Sequence, residues 1–429
     1  MNKNEIVVFW FRRDLRLQDN CGLYNALQSG YKVLPIFIFD EEILNELPKN
    51  DARVTFIYEI LNNINKELHK IGSAVIIEKA NVFDVWINLL KKYTIKEVYL
   101  NKDYEPYALK RDEKFKSFLL ENGVEYKSFK DQVIFEESEI VKDDGLPYTV
   151  YTPYKNKWLK KYLENDINKF PSEKLLENLH KEVFNLPSLS DIGFQFSDIK
   201  VLPYNDKFIS NYAKTRDLPS IETSNLSVHL RFGTVSIRKM VEYGIKKDSI
   251  FTRELIWREF FMQILYHFPK VVNENFKAKY NYIKWINNEE EFKLWCEGKT
   301  GYPIVDAGMR QLNETGYMHN RVRMIVASFL CKHLLIDWRW GEAYFAEKLL
   351  DYDLSANNGN WQWVAGTGCD SAPYFRVFNP VAQQEKFDPN FEYIKRWNPN
   401  YKETPEIVEH KFARNRYLNV LKKALNQIN

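Results

Sequence analysis

Ile6-Val7-Val8-Phe9-Trp10-Phe11-Arg12-Arg13-Asp14-Leu15-Arg16 is the stretch that decides the fold of the first part of the chain. Its apolar run, rich in β-branched and aromatic side chains, reads as a strand buried on both faces, as in the middle of a parallel sheet. Similar runs recur at Val33 to Phe39, Ala74 to Ile77 and Glu97 to Leu100, with Tyr126 to Phe129 as a fifth candidate. Helical periods separate them. In Asp51 to Lys70 the residues Val54, Ile57, Tyr58, Leu61, Ile64 and Leu68 share one face, and Asn81 to Lys92 and Tyr107 to Glu121 repeat the pattern. This alternation predicts an α/β N-terminal domain with a doubly wound parallel sheet over residues 1–130. The turn after the first strand is not G-x-G-x-x-G, so no dinucleotide is expected there in the Rossmann manner. Arg12, Arg13, Asp14 and Arg16 either face a ligand or form a salt-bridge cluster.

Residues 131–203 are polar and punctuated by Pro147, Pro153, Pro171, Pro187 and Pro203, which predicts an interdomain linker running over the surface, with a short helix near Tyr154 to Leu163. From residue 204 to 429 the pattern is helical, as in Phe251 to Tyr266, Val305 to Gln311, Asn320 to Leu335 and Glu342 to Leu350. An all-α C-terminal domain follows. With 45% hydrophobic and 28% charged residues the chain is an ordinary globular protein. A formal net charge of +3 gives no bulk argument for nucleic acid, so any such surface must come from local segregation of charge. Cys21, Cys296, Cys331 and Cys369 lie far apart, which argues against disulfides and zinc, and no metal site is expected. The polar start leads straight into a strand and no apolar stretch reaches ~18 residues, so a cytoplasmic protein without a membrane partner is expected.

The residues richest in chemistry lie between Gly301 and Asp388. On a helix starting near Asn320, the residues Asn320, Arg323 and Met324 share a face, and amide, guanidinium and thioether make a poor core. Asp351 and Asp353 flank Tyr352 ahead of a Gly- and Asn-rich loop, either solvated or paired with a buried arginine. Trp361 and Trp363 have the spacing of an irregular aromatic wall, which suits base stacking and ordinary cores alike.

These motifs, with Phe9 to Arg16 at one end and Phe378-Asn379-Pro380 at the other, resemble the photolyase/cryptochrome family over both domains, most closely the class I photolyases for cyclobutane pyrimidine dimers. The resemblance implies FAD in the helical domain. Tyr212 and Thr223-Ser224-Asn225-Leu226-Ser227 would bind its phosphates and ribityl chain. Asp351, Tyr352 and Asp353 would lie at the flavin, with Arg323 paired to Asp351 and Asn357 against N5. UV-damaged DNA is the implied partner. Glu254, Trp257, Asn320, Met324 and Trp363 would receive a flipped-out dimer, with Glu254 on the thymine edge, while Arg216, Arg258, Arg321 and Gln383 would contact DNA. Trp361, Trp338 and Trp285 match the family's electron relay. The implied reaction is light-driven repair: one electron is lent by excited reduced flavin to the dimer and returned after the ring opens.

Departures narrow this expectation. Tyr107-Ala108 and Val271-Val272 stand where folate-antenna relatives carry Asn-Glu and Cys-Lys pairs, so folate is disfavoured; a deazaflavin, a second flavin or no antenna stay open. Phe251 stands where some relatives have a tryptophan near the flavin. Relatives acting on (6-4) lesions have histidines at the places of Asn320 and Met324, and plant cryptochromes an acid at that of Asn357, so repair of cyclobutane dimers is favoured over (6-4) repair and over signalling. The short tail after the core fits a repair enzyme better than a photoreceptor, and a monomer is expected.

Overall fold

Five strands form one parallel sheet in the computed structural model, which describes residues 5–426. They are β1 (Glu5–Phe11), β2 (Lys32–Asp40), β3 (Ile76–Ala80), β4 (Thr94–Asn101) and β5 (Glu125–Phe129), in the order β3-β2-β1-β4-β5. β1 is central, and its pairing with β4 slips once, between Ile6 and Val7. Helices Cys21–Leu27, Ala52–His69, Val82–Lys92 and Pro106–Glu121 make the crossovers. Asn20, Asp51 and Asn81 cap the first three, each side chain accepting a backbone N–H of the first turn. Trp10 packs edge-on against Trp86 and Phe115 at 5.9 and 5.2 Å in the core of this layer.

The chain divides into two compact units. The first comprises Met1–Glu139, Trp158–Pro203 and Leu226–Tyr243; the second comprises Ile140–Lys157, Tyr204–Asn225 and Gly244–Asn429. Residues 131–203 are more than a surface connection. Ile134, Phe135, Ile140, Tyr154, Trp158, Leu179 and Ile192 are buried, and the helix there runs over Tyr151–Glu164. Sparse apolar residues between prolines hid this; within the helix Tyr151, Tyr154 and Trp158 are buried along one face, Tyr154 against Phe260 and Trp158 against Phe135.

At the carboxyl end of β1 the arginines resolve into ion pairs. Arg12 donates to both oxygens of Asp112 at 2.7 Å, and Arg13 reaches Asp103 and Glu105. Arg16 donates to both oxygens of Asp131 at 2.7 and 2.8 Å, and Arg238 and the Cys21 N–H also donate to that carboxylate. Burial alone would push Asp131 up, but the guanidiniums of Arg16 and Arg238 hold it below the usual carboxylate range.

The second unit is helical. Asp248 caps Ser249–His267 by accepting from the N–H groups of Ile250 and Phe251. Asn320–Ser328 runs on into a π-helical turn, Phe329–His333. Trp338–Lys348 and Leu354–Ala365 follow, and the second of these takes in the Asn- and Gly-rich stretch that the sequence suggested was a loop. Two glycines set the approach of these helices. A Cβ on Gly359 would lie 2.1 Å from Phe261 Cδ1, and one on Gly341 would lie 2.1 Å from Trp361 Cη2. No described helix is long and apolar enough to cross a membrane.

Two outcomes are expected. Gly341→Ala overpacks the contact with Trp361 and Leu330 and costs ~1–3 kcal/mol, read as a lowered urea midpoint; an unchanged midpoint would show that the helices can part freely. Asp131→Asn leaves two buried guanidiniums short of a charge, at ~3–5 kcal/mol near pH 7. Because the native carboxylate titrates below its unfolded value, its stabilisation is present above the ordinary aspartate range and fades as pH falls through the lowered native value. The midpoints of wild type and Asp131→Asn therefore converge on acidification.

Candidate functional site

Leu354–Ala365 is the helix around which the candidate residues gather, and its 3.6-residue period sorts them. Asn357 and Trp361 lie one turn apart on the side facing Trp338–Lys348. There the Asn357 amide donates to the Glu342 carbonyl at 3.1 Å and to Glu342 Oε1 at 2.8 Å, and Trp361 fits against Gly341 and packs edge-on to Phe345 at 5.0 Å. Burial pushes the Glu342 carboxyl up, and the Asn357 amide partly offsets this. Gly359 lies on the side facing Ser249–His267, where Phe261 touches it, and Trp363, one turn further on, packs at the margin of the hydrophobic cluster that contains Trp361. Trp361 and Trp363 therefore do not form one wall. A two-residue step on a helix turns about 200°, and Trp361 is buried while Trp363 is half-buried.

Asp353 starts this helix. Its buried carboxylate accepts from the Ala356 N–H at 3.2 Å and from the Ser355 hydroxyl. Tyr352 before it packs on the helical core, and Asp351 makes the expected ion pair: Arg323 donates to its two oxygens at 3.1 and 2.9 Å and to the Met318 carbonyl at 2.8 Å. This fork-to-fork geometry fixes both side chains. His319 caps the Arg323 helix, its Nδ1 accepting from the Arg321 N–H at 3.2 Å, a role open only to neutral imidazole. Burial lowers its pKa to about 4, and the nearby Asp217 offsets part of that shift.

Arg216 and Glu254 pair at 2.5 Å, and the Arg216 guanidinium lies 5.5 Å over the Tyr212 ring, which packs edge-on to Phe251 at 5.6 Å. Arg321 donates to Asp217 at 2.6 Å and to Met324 Sδ at 3.6 Å, and lies 4.4 Å over Phe387. Gln383, one turn before Phe387, is thereby on the helix face toward Arg321. Asn320 is exposed at the first turn of its helix, and Trp257 and Arg258 are half-buried. Trp361, Trp338 and Trp285 all belong to one hydrophobic cluster, the first two inside it and Trp285 at its partly exposed margin. Trp338 donates its indole N–H to Asn275 at 2.9 Å.

Thr223 is exposed, Ser224 half-buried, and Asn225 has φ 51°, a left-handed backbone that asparagine tolerates. Leu226 and Ser227 open the helix Leu226–Arg231, which belongs to the first unit. As donors and acceptors, the hydroxyls of Thr223 and Ser224, the Asn357 amide and the Arg323–Asp351 pair fit a ligand that combines phosphates with a polar heteroaromatic ring, as FAD does.

The sequence did not reveal Tyr151 stacked on Trp257, Glu342 under Asn357, Asp217 on Arg321, or Trp295 edge-on to Trp361 at 6.2 Å. Only Asp217, adjacent to Arg216 and acidic, carried a local hint.

Residues 7–174 match the family model described as DNA photolyase, and residues 251–425 match that of the FAD binding domain of DNA photolyase. The deoxyribodipyrimidine photo-lyase of Vibrio cholerae is 37% identical, covering 94% of this chain and 92% of its own length. A bacterial class III photolyase from Agrobacterium tumefaciens superposes with a TM-score of 0.87 at 32% identity, covering 99% of this chain and 98% of that one. An archaeal photolyase from Sulfolobus tokodaii with two FAD molecules gives 0.84 at 35% identity, covering 98% and 100%. The fold is that of these relatives, the helical part is an FAD-binding domain, and the chain belongs to the DNA photolyase family.

Proposed function

We infer that the chain is a light-dependent lyase that repairs cyclobutane pyrimidine dimers in DNA with FAD as cofactor. The observation that carries the reading to this chain's own residues is the pair of half-buried tryptophans, Trp257 and Trp363, on facing helices of the FAD-binding unit. Each indole leaves part of its surface exposed, and bases stack on such aromatics at roughly 1–3 kcal/mol each. Base flipping, a mode that photolyases share with glycosylases and methyltransferases, costs a few kcal/mol of unstacking and least at a damaged site. Two such platforms offset that cost.

Bound reduced FAD supplies one-electron donation under blue light. The residues around it orient and tune. Arg323 and Asp351 present a matched charge pair, Asp353 fixes the start of the helix, and Asn357 offers an amide whose donor side is held by Glu342. In this reading Asn357 faces flavin N5, and Tyr212, Tyr352 and Thr223 to Ser227 hold the rest of the cofactor. Glu254, oriented by Arg216, accepts from the pyrimidine edge, with Asn320 and Met324 beside it. Arg216, Arg321, Arg258 and Gln383 meet the DNA strand. Each guanidinium has five N–H donors, so an arginine paired with Glu254 or Asp217 can still meet a phosphate. Trp361, Trp338 and Trp285 form the relay from the surface. The protein is taken as a cytoplasmic monomer, and the Sulfolobus relative's second FAD makes a second flavin the antenna to test first.

The decisive assay follows loss of a thymine dimer from an oligonucleotide incubated with reduced protein in the dark and under blue light. Light-dependent recovery of intact thymines is expected; flavin bound without recovery would point to (6-4) lesions or to a photoreceptor. Trp361→Phe should abolish photoreduction of oxidised flavin yet spare repair by pre-reduced protein, and equal loss of both would remove the relay assignment. Glu254→Ala should lower repair yield more than flavin content; the reverse would make Glu254 structural.

A further inference from the structure

Tyr151, to which no role has been given, ties together the two tryptophan-bearing segments. Its ring lies on Trp257 with centroids 3.6 Å apart and planes within 7° of parallel, the tightest ring stack among the described aromatic pairs. Its hydroxyl donates to the Arg253 carbonyl at 2.8 Å, one turn before Trp257 on the same helix. Its backbone N–H donates to Asp370 Oδ2 at 3.0 Å, in the loop that follows the Trp363 helix. That loop folds back on the helix, the Ala372 N–H donating to the Trp363 carbonyl at 3.3 Å. Behind Tyr151, Phe260 packs edge-on at 5.8 Å, so the ring cannot swing away without disturbing the core.

We propose that Tyr151 is a positioning residue for damage recognition: its ring closes one face of Trp257 and fixes the indole plane, and its backbone holds the Trp363 loop at the matching distance. Free tryptophan at a half-exposed site has several rotamers, and each would present a different surface to an incoming base. Phe260 at 5.5 Å and Phe261 at 5.4 Å bound the indole within its own helix, and stacking on a buried tyrosine that is itself hydrogen-bonded at both ends leaves one. Preorganisation of this kind raises affinity by removing the ordering cost from the binding step. Its benefit falls on the flipped dimer, which needs the platform, and not on undamaged duplex, held through phosphates. This rests on the reading of Trp257 as a wall of the dimer site.

The test compares Tyr151→Phe, Tyr151→Leu, Tyr151→Ala and Trp257→Ala, all as flavin-loaded protein, in binding to a duplex with one thymine dimer and to its undamaged twin. Tyr151→Leu and Tyr151→Ala should weaken dimer binding by about tenfold, the upper end of what one aromatic pair contributes. Undamaged binding and flavin content should stay within about twofold, and repair of saturating dimer should fall less than affinity does. Tyr151→Phe, which keeps the stack, should recover most of the affinity. Weaker dimer binding in Trp257→Ala with no change in the Leu and Ala variants overturns the proposal. No change in Trp257→Ala instead removes the underlying reading of Trp257. Parallel loss of flavin and of both affinities in the Leu and Ala variants would make Tyr151 a residue of the fold alone, which also overturns it.

Discussion

The absence of a side chain at Gly359 is the constraint on which the helical unit depends. Phe261 occupies the place a Cβ would need, so Leu354–Ala365 and Ser249–His267 cross at backbone distance. Gly341 does the same for Trp361 on the other side. One helix is thus clamped between two others with no slack to rotate, and interiors packed this closely have no cheap alternative arrangement. The positions of Asn357, Trp361 and Trp363 follow from that clamp. The buried amides Asn358 and Gln362, one turn apart, add to it by donating to the Val271 carbonyl at 3.0 and 2.9 Å.

Charge is handled in the same preorganised way. In the second unit Arg323, Arg216 and Arg321 each have a carboxylate partner, and in the first unit Arg12, Arg13 and Arg16 do too. Lone charges at such depth would be costly, whereas paired ones keep their direction at little net cost or gain. Local neutrality of this kind agrees with a net charge of only +3. Recognition of a polyanion by this chain would then draw on oriented donors more than on bulk positive potential.

The parallel strands were legible because burial on both faces leaves continuous apolar runs, and all five appear within a few residues of where the sequence put them. Ser249–His267 was legible from its period. The Asn357 to Trp363 stretch was not, because Asn and Gly are poor helix formers and tertiary contacts at Gly359, Asn358 and Gln362 outweigh propensity there. The π-helical turn at Phe329–His333 leaves no mark in a 3.6-residue pattern, so the helix from Asn320 was drawn too long. The Arg323–Asp351 pair was expected from family resemblance and is present. Glu342 and Tyr151 were out of reach: their partners lie 15 and 106 positions away, and nothing local marks either.

The spacing of Trp361 and Trp363, which in the sequence suits a stacking wall and an ordinary core alike, shows why secondary structure carries functional meaning. As an extended or irregular segment the two indoles could both face a ligand. On a helix they must separate by about 200°: Trp361 is buried inside the aromatic cluster that also holds Trp338, whereas Trp363, like Trp285, packs on that cluster from its partly exposed margin. A single helix can therefore hold one indole inside the cluster and leave the other partly exposed at its edge. A one-residue insertion between Asn357 and Trp361 would rotate everything after it by about 100°, carrying Trp361 off the Gly341 side while Asn357 stayed on Glu342. The spacing of four between Asn357 and Trp361 is what keeps the amide and the buried indole on one face.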